Sequence, residues 1–132
     1  MKRHQQLQDL SREHHSALKL ALHARRAAMS GDPAQIAASA TACCAAFAAE
    51  LDPHFLIEEH DLLPVLKEHG EHELAHRVAQ DHQELRLLAI RLQHPDAPTL
   101  HRFGELLSAH VRFEEREVFE AAQEHLDPST NA

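Results

Sequence analysis

The sequence of 132 residues contains no tryptophan and no tyrosine, and it has only three glycines and five phenylalanines. β-Branched residues are also few, so alanine and leucine supply most of the 43% of residues that are hydrophobic. Sheets are enriched in β-branched and aromatic residues, and tight turns between strands often need glycine. The composition therefore disfavours a β-sheet protein and is typical of an all-α protein.

The sequence is also short of positive charge, with 13 Lys and Arg against 21 Asp and Glu and a formal net charge of −8. This balance argues against nucleic acid or an anionic membrane as the partner. No uninterrupted apolar run approaches the roughly 20 residues that span a bilayer. The basic N-terminal residues are not followed by the apolar stretch of a signal peptide. We therefore expect a cytoplasmic protein with a single domain over residues 1–132 and frayed termini.

Only two cysteines are present, and they are the neighbours Cys43 and Cys44 in an alanine-rich run. Adjacent side chains on a helix point about 100° apart, so these two thiols are poor partners for each other. We expect both to behave as small buried apolar side chains.

Hydrophobic periodicity predicts four helices joined by short turns. The predicted helices cover about residues 11–29, 33–69, 71–94 and 98–126. Ser11 and Asp32 are predicted N-caps, and Gly70 is predicted to end the second helix. Pro53 should kink or interrupt that helix, and Pro64 is a second candidate break. Four amphipathic helices with short connections predict an up-down-up-down four-helix bundle.

Two segments of the sequence share an unusual pattern: HFLIEEHDLLP begins at His54, and HVRFEEREVFE begins at His110. In each segment a glutamate, Glu58 or Glu114, follows the histidine by four residues, which places the pair on one face of a helix. The pair on the fourth helix lies within its apolar stripe, so these side chains should point into the core. Because buried imidazole and carboxylate groups are costly without partners, a metal ion would resolve the conflict.

The first and third helices offer histidines for the same site. On the third helix, His82 continues the apolar stripe, whereas the first helix has two neighbours, His14 and His15. The upstream pattern, with a leucine four residues before and an acid directly before, matches that of His82 and favours His14. The downstream pattern favours His15, because HSALKL resembles HQELRL after His82. The candidate metal ligands are therefore His14, His15, His54, Glu58, His82, His110 and Glu114.

Four imidazoles and two carboxylates are more ligands than one metal ion usually needs. Two ions bridged by Glu58 and Glu114 would use all six and would leave positions open for an exogenous ligand. Mixed imidazole and carboxylate ligands suit iron, manganese or zinc, and carboxylate-bearing helices of bundles commonly build dinuclear iron sites. We therefore predict two non-heme iron ions, compatible with an oxo or hydroxo bridge, with zinc or manganese as alternatives. The second acid of each segment, Glu59 and Glu115, is expected to be solvated.

The order of these motifs resembles the hemerythrin-like, or HHE cation-binding, family over about residues 10–119. LSREHHSAL near the start is similar to a bacterial subgroup of that family. The resemblance implies a four-helix bundle around a non-heme diiron centre, with Glu58 and Glu114 as the bridging carboxylates. It implies histidine ligands at His54, His82, His110 and either His14 or His15.

The sequence differs from the oxygen-carrying hemerythrins in two places. Those proteins have a His-x-x-x-His pair on the third helix, where this chain has Val78 four residues before His82. They also have an aspartate five residues after the last histidine, where this chain has Glu115. The resemblance therefore implies a site richer in carboxylate, closer to HHE proteins linked to iron sensing, nitric oxide response and repair of iron centres.

The function that these features favour is binding of a small diatomic ligand, dioxygen or nitric oxide, or of a peroxide, for sensing, storage or scavenging. A dedicated enzyme is the less favoured interpretation. The alternatives are a diiron redox enzyme that acts on peroxide or nitric oxide, and a protein that handles iron or zinc. The sequence leaves a homodimer and an unidentified protein partner open.

Overall fold

Four long helices make up most of the computed structural model, which describes residues 4–126; the predicted frayed ends lie largely outside these residues. Within the described residues the helices are α1 (Gln5–Met29), α2 (Pro33–Glu68), α3 (His72–Arg91) and α4 (residues 97–126). Each helix packs against the next one in the sequence, and α4 packs back against α1. The prediction of an all-α four-helix bundle is confirmed.

Helix α1 begins six residues earlier than predicted, at Gln5, and its N-cap is His4 instead of Ser11. The reason is tertiary packing, because Leu7 and Leu10 are buried in an apolar cluster with residues of the other three helices. Ser11 is then inside the helix, and its hydroxyl donates a hydrogen bond of 2.7 Å to a carboxylate on α4.

The predicted ends of α2 are close to those in the structure. Asp32 is the N-cap, and its carboxylate accepts a hydrogen bond of 2.9 Å from the amide of Ala34. At the other end Gly70 has a φ of +83°, and the next amide, that of Glu71, donates to the carbonyl of Leu66. A left-handed glycine of this kind is a common helix stop, because a side chain is disfavoured in that conformation.

Neither proline interrupts α2, so the prediction of a break is wrong. A π-helical turn precedes each one: Phe47–Leu51 before Pro53, and Glu58–Leu62 before Pro64. Proline has no amide hydrogen and its ring collides with the preceding turn of an α-helix. The wider π turn accommodates both the missing amide hydrogen and the proline ring, and the chain continues as a helix.

A third π turn, Glu114–Val118, lies in α4 without any proline. It begins at Glu114, just as the second π turn of α2 begins at Glu58. Single π turns in α-helices are frequently found at functional sites, because the extra residue changes the direction of nearby side chains. The two halves of the repeated sequence pattern therefore adopt the same irregular backbone.

The core consists of two apolar clusters at opposite ends of the bundle. Each helix passes from one cluster to the other, as α1 does between Leu10 and Ala17 and α4 does between Val111 and Val118. Between the two clusters, each helix carries a buried polar residue in place of an apolar one. The bundle therefore carries a buried polar layer between its two apolar ends.

The expectation that no apolar run approaches the length needed to span a bilayer is revised for α2. The helix is long enough, and part of it apolar enough, to meet the minimum requirements for crossing a membrane by length and composition alone. This property reflects its alanine-rich first half, in which Cys43 is buried and Cys44 is half-buried. Only 17% of this apolar window is buried, and a single helix of this kind is weak evidence, so it carries no membrane assignment.

Candidate metal centre

The polar layer contains six of the seven candidate ligands, and each of the six is at most 5% exposed. The seventh, His15, is exposed and lies outside the layer. The apolar periodicity of α1 explains the difference, since His14 continues the buried stripe of Leu10 and Ala17. The six buried residues are His14, His54, Glu58, His82, His110 and Glu114.

These side chains form two overlapping groups that could each hold a metal ion. The first contains His14 and His54, the second contains His82 and His110, and both contain Glu58 and Glu114. Within each group, one ligand atom from every residue lies within 4.8 Å of the others.

Each shared carboxylate directs one oxygen toward each histidine pair. Glu58 places Oε2 3.0 Å from Nε2 of His54 and Oε1 2.9 Å from Nε2 of His82. Glu114 places Oε1 2.9 Å from Nε2 of His14 and Oε2 3.2 Å from Nε2 of His110. A carboxylate that presents its two oxygens to two separate groups of nitrogens has the arrangement of a bridging ligand.

The opposite nitrogen of every histidine, Nδ1, faces a second acid, and we call these four acids the outer carboxylates. The four pairs are Glu13 with His54 at 2.5 Å, Glu59 with His82 at 2.7 Å, Asp81 with His110 at 2.9 Å and Glu115 with His14 at 2.7 Å. Each pair joins one helix to the next in the sequence, and the last joins α4 to α1. The outer carboxylates therefore form a closed ring of contacts around the bundle.

This arrangement decides where the imidazole protons lie. A neutral imidazole has one N–H, and an outer carboxylate that accepts it fixes that proton on Nδ1. The lone pair of Nε2 then points at the lone pairs of Glu58 or Glu114. Four buried atoms have no hydrogen-bond partner in these contacts: Glu58 Oε1, His82 Nε2, His110 Nε2 and Glu114 Oε2.

Facing acceptors at about 3 Å are unfavourable unless a cation or a proton lies between them. The unpartnered atoms are imidazole nitrogens and carboxylate oxygens, which are common ligands of transition metals. The donor set therefore fits metal ions at both groups.

The family model described as the hemerythrin HHE cation binding domain matches residues 6–122. The chain belongs to the hemerythrin HHE cation-binding family. No curated protein and no solved structure matches the sequence. The match covers every buried member of the polar layer, and it agrees with the metal-binding chemistry of the donor set.

Burial and neighbouring charges shift the pKa values of the buried glutamates and histidines of the HHE site. Burial, followed by the negative charge of Glu114, raises the pKa of Glu58 well above its usual range. Burial also lowers the pKa of His82 to about 4, and the positive charge of His110 adds to this effect. Without a metal ion, ionisation of both glutamates together is therefore unfavourable.

His110 behaves differently from His82. Burial acts to lower its pKa, but the negative charge of Glu114 and the hydrogen bond to Asp81 outweigh burial and raise the pKa to about 9. In the metal-free HHE domain, a proton on His110 thus substitutes in part for the missing cation.

The outer carboxylates are themselves held in place. Arg86 donates to both oxygens of Glu59, at 2.8 and 3.2 Å, and also to Asp52 at 2.8 Å. Burial acts to raise the pKa of Glu59, but the hydrogen bonds from Arg86 and His82 lower it. Glu59 consequently stays ionised and orients the ring of His82.

As expected, Glu59 and Glu115 belong to neither group of candidate ligands, but they are less solvated than expected. Their side chains are 28% and 30% exposed, and each accepts a hydrogen bond from a candidate ligand. A signal for them was present in the sequence, because each outer carboxylate is directly adjacent to a candidate ligand on its own helix. What the sequence did not reveal is that each acid contacts a histidine of the neighbouring helix.

Two phenylalanine rings cover the site. Phe55 stacks on His82 with 3.9 Å between the ring centroids, and Phe119 lies parallel to His14 at 5.1 Å. Both rings are at most 2% exposed. They keep water from these faces and fix the orientation of the imidazole planes.

Proposed function

We propose that this HHE domain holds two non-heme iron ions and binds a small diatomic ligand, dioxygen or nitric oxide, or a peroxide, for sensing, storage or scavenging. The observation that carries the proposal is that two pairs of buried histidines share the same two carboxylates, Glu58 and Glu114. Two separate mononuclear sites would not need shared carboxylates.

The protein would give each ion four donor atoms: two imidazole nitrogens and one oxygen from each shared glutamate. This set of nitrogen and oxygen donors suits iron, with zinc and manganese as alternatives. When bound, a pair of iron ions supplies redox capacity and open coordination positions for a small ligand. The two ionised glutamates offset part of the added positive charge.

The residues around the donors have their own tasks. The outer carboxylates keep the imidazole protons on Nδ1, so that every Nε2 is free to bind a cation. Phe55 and Phe119 exclude water from the histidine faces that they cover. In this way the chain holds the donor atoms in a fixed geometry.

The test is to load metal-free protein with iron(II) under anaerobic conditions and to measure the iron content and the absorption spectrum. We expect two iron ions per chain and a new ligand-to-metal absorption band after exposure to nitric oxide, air or hydrogen peroxide. Glu114→Ala should lose both ions, whereas His15→Ala, a change at an exposed neighbour, should keep them.

A content of one ion or fewer per chain, or no new band with any of the three ligands, would overturn the proposal. Continuous consumption of peroxide by the loaded protein would instead favour the redox enzyme over the binding protein. A full complement of zinc without iron in protein from its native host would favour metal handling.

A further inference from the structure

A cavity of about 530 Å³ opens between α1 and α2 and extends to the candidate metal centre. His14, His54 and His110 form part of its wall. Dioxygen, nitric oxide and peroxide are each comparable in size to a water molecule, whose share of liquid volume is about 30 Å³. The cavity is therefore much larger than the ligands of the proposed function need, and it lies in the usual range for organic ligands.

The cavity is elongated. Its wall on α1 runs from Glu13 to His23, and ten residues of helix span about 15 Å. Its wall on α2 includes residues 46–57, which run antiparallel to α1 over a similar length. An extended aliphatic chain could therefore contact both helices over this length.

The walls are mainly apolar. They include Ala17, Leu20, Ala46, Leu51, Ile57 and Val111. The charged side chains of the lining, such as Lys19 and Glu50, are exposed and therefore lie at the solvent edge. Away from that edge, the polar groups of the lining are the candidate metal ligands themselves.

Small side chains keep the cavity open. Ala46 and Ala49 lie on the α2 wall, where a leucine or phenylalanine would project into the space. The first π turn of α2, Phe47–Leu51, contributes part of the same wall. The opening is therefore built into the alanine-rich sequence of α2.

The cavity approaches the two candidate metal positions unequally. His14 and His54, which belong to one position, both line it, whereas His110 is the only histidine of the other pair that does. The remaining histidine, His82, is covered by the stacked ring of Phe55. A ligand in the cavity would therefore present its end to the position held by His14 and His54.

We propose that this cavity binds an aliphatic monocarboxylate, with the carboxylate at the metal position of His14 and His54 and the apolar chain along the gap between α1 and α2. A single polar end matches a cavity that has one metal-binding end and apolar walls. A carboxylate is a common ligand of a transition-metal cation, such as one held at this position by two imidazoles and two glutamate oxygens. The inference rests on the proposed function, because the bound cation supplies the attraction for the carboxylate.

The test is to titrate octanoate and acetate into the metal-loaded protein and to follow binding by calorimetry. The two ligands share the head group and differ in the length of the chain. We expect octanoate to bind at least tenfold more tightly than acetate. Affinities within twofold of each other would overturn the inference.

A pair of neighbouring substitutions tests where the aliphatic chain of the ligand lies. Ala49→Trp places a large side chain in the cavity, whereas Ala48→Trp places it at the adjacent exposed position outside the lining. We expect Ala49→Trp to weaken octanoate binding at least tenfold with little change for acetate, and Ala48→Trp to leave both unchanged. Equal effects of the two substitutions on octanoate would contradict the proposed location. Because both alanines are exposed, both variants should fold.

Metal analysis of each sample separates the two proposals. A protein that holds two ions but shows no preference for octanoate would overturn this inference alone. A protein that holds no ions at the site would overturn the proposed function and this inference with it.

Discussion

Each candidate histidine ligand lies between two carboxylates, and the outer carboxylate determines which ring nitrogen carries the proton. Metal-binding histidines commonly donate their second N–H to a carboxylate, which fixes the ring and makes the other nitrogen more basic. In this bundle all four histidines have such a partner. The residues that bind no metal are therefore as much a part of the site as those that do.

Glu59, one of the outer carboxylates, accepts hydrogen bonds from Arg86 through both of its oxygens. Glu59→Gln keeps the shape of the side chain but removes the charge that faces His82. We expect metal affinity to fall about 10- to 100-fold, with the helical content unchanged. Competition with a chelator measures the affinity. Glu68→Gln, at an exposed position of the same helix, is the matched control, and an equal affinity for Glu59→Gln and the unmodified protein would contradict the role of Glu59.

The pKa shifts predict that metal binding releases protons. The pKa of His110 is raised to about 9, so His110 holds a proton in the metal-free protein at neutral pH, and the pKa of Glu58 is raised well above its usual range, which favours its protonated form. Both must lose these protons to bind a cation. His82, with a pKa of about 4, is already neutral there and contributes none.

Metal affinity should consequently rise with pH up to about 9 and fall toward acid, by up to about tenfold per pH unit for each proton released. Calorimetry in buffers of different ionisation enthalpy counts the protons at each pH. An affinity that stays constant between pH 6 and pH 9 would show that these two groups are already deprotonated before metal binds.

At the scale of the helices, the sequence predicted the features that depend on local periodicity. Apolar stripes indicated four helices, and the position of His14 in its stripe agreed with its burial. Features that depend on contacts between helices were not predictable. The early start of α1 depends on where Leu7 is buried, and the π turns depend on how α2 and α4 accommodate Pro53 and the polar layer.

The helices α1 and α4 pack closely against each other at Gly104. Gly104 of α4 faces α1, and a Cβ atom at this position would come within 2.7 Å of the backbone carbonyl of Ala21 and 2.8 Å of Cγ of Arg25. Because a backbone carbonyl cannot move independently of its helix, Gly104→Ala should push the two helices apart. Overpacking of this kind costs about 1–3 kcal/mol, against which alanine regains up to about 1 kcal/mol of helix propensity.

We therefore expect Gly104→Ala to lower the free energy of unfolding by about 1–2 kcal/mol, measured by urea denaturation of the metal-free protein. Ala109→Gly, at an exposed position of the same helix, measures the propensity difference alone. A Gly104→Ala protein that is more stable than the unmodified one would show that α1 moves away from α4 without a loss of stability.

At the scale of the whole molecule, the polar layer is both the site and the weak point of the core. It places two glutamates that are completely buried, together with four histidines, between the two apolar clusters. Without a cation, the facing nitrogen and oxygen atoms of the layer must take up protons or remain without partners in the centre of the bundle. Metal binding would convert this layer into a cross-link among all four helices, so metal binding and stability should be coupled.

Removal of the metal should therefore lower the melting temperature. A ligand present at about 100 times its dissociation constant stabilises the folded state by about 2.7 kcal/mol. For a domain of this size that corresponds to a shift of roughly 10 °C. The measurement is thermal unfolding followed by circular dichroism, with and without a chelator, with the metal content determined in parallel. The double variant Glu58→Gln/Glu114→Gln should melt at the same temperature in both conditions, because it lacks the shared carboxylates but keeps their volume. A chelated, metal-free protein that melts at the same temperature as the loaded one would show that the bundle forms this buried layer without help from a cation.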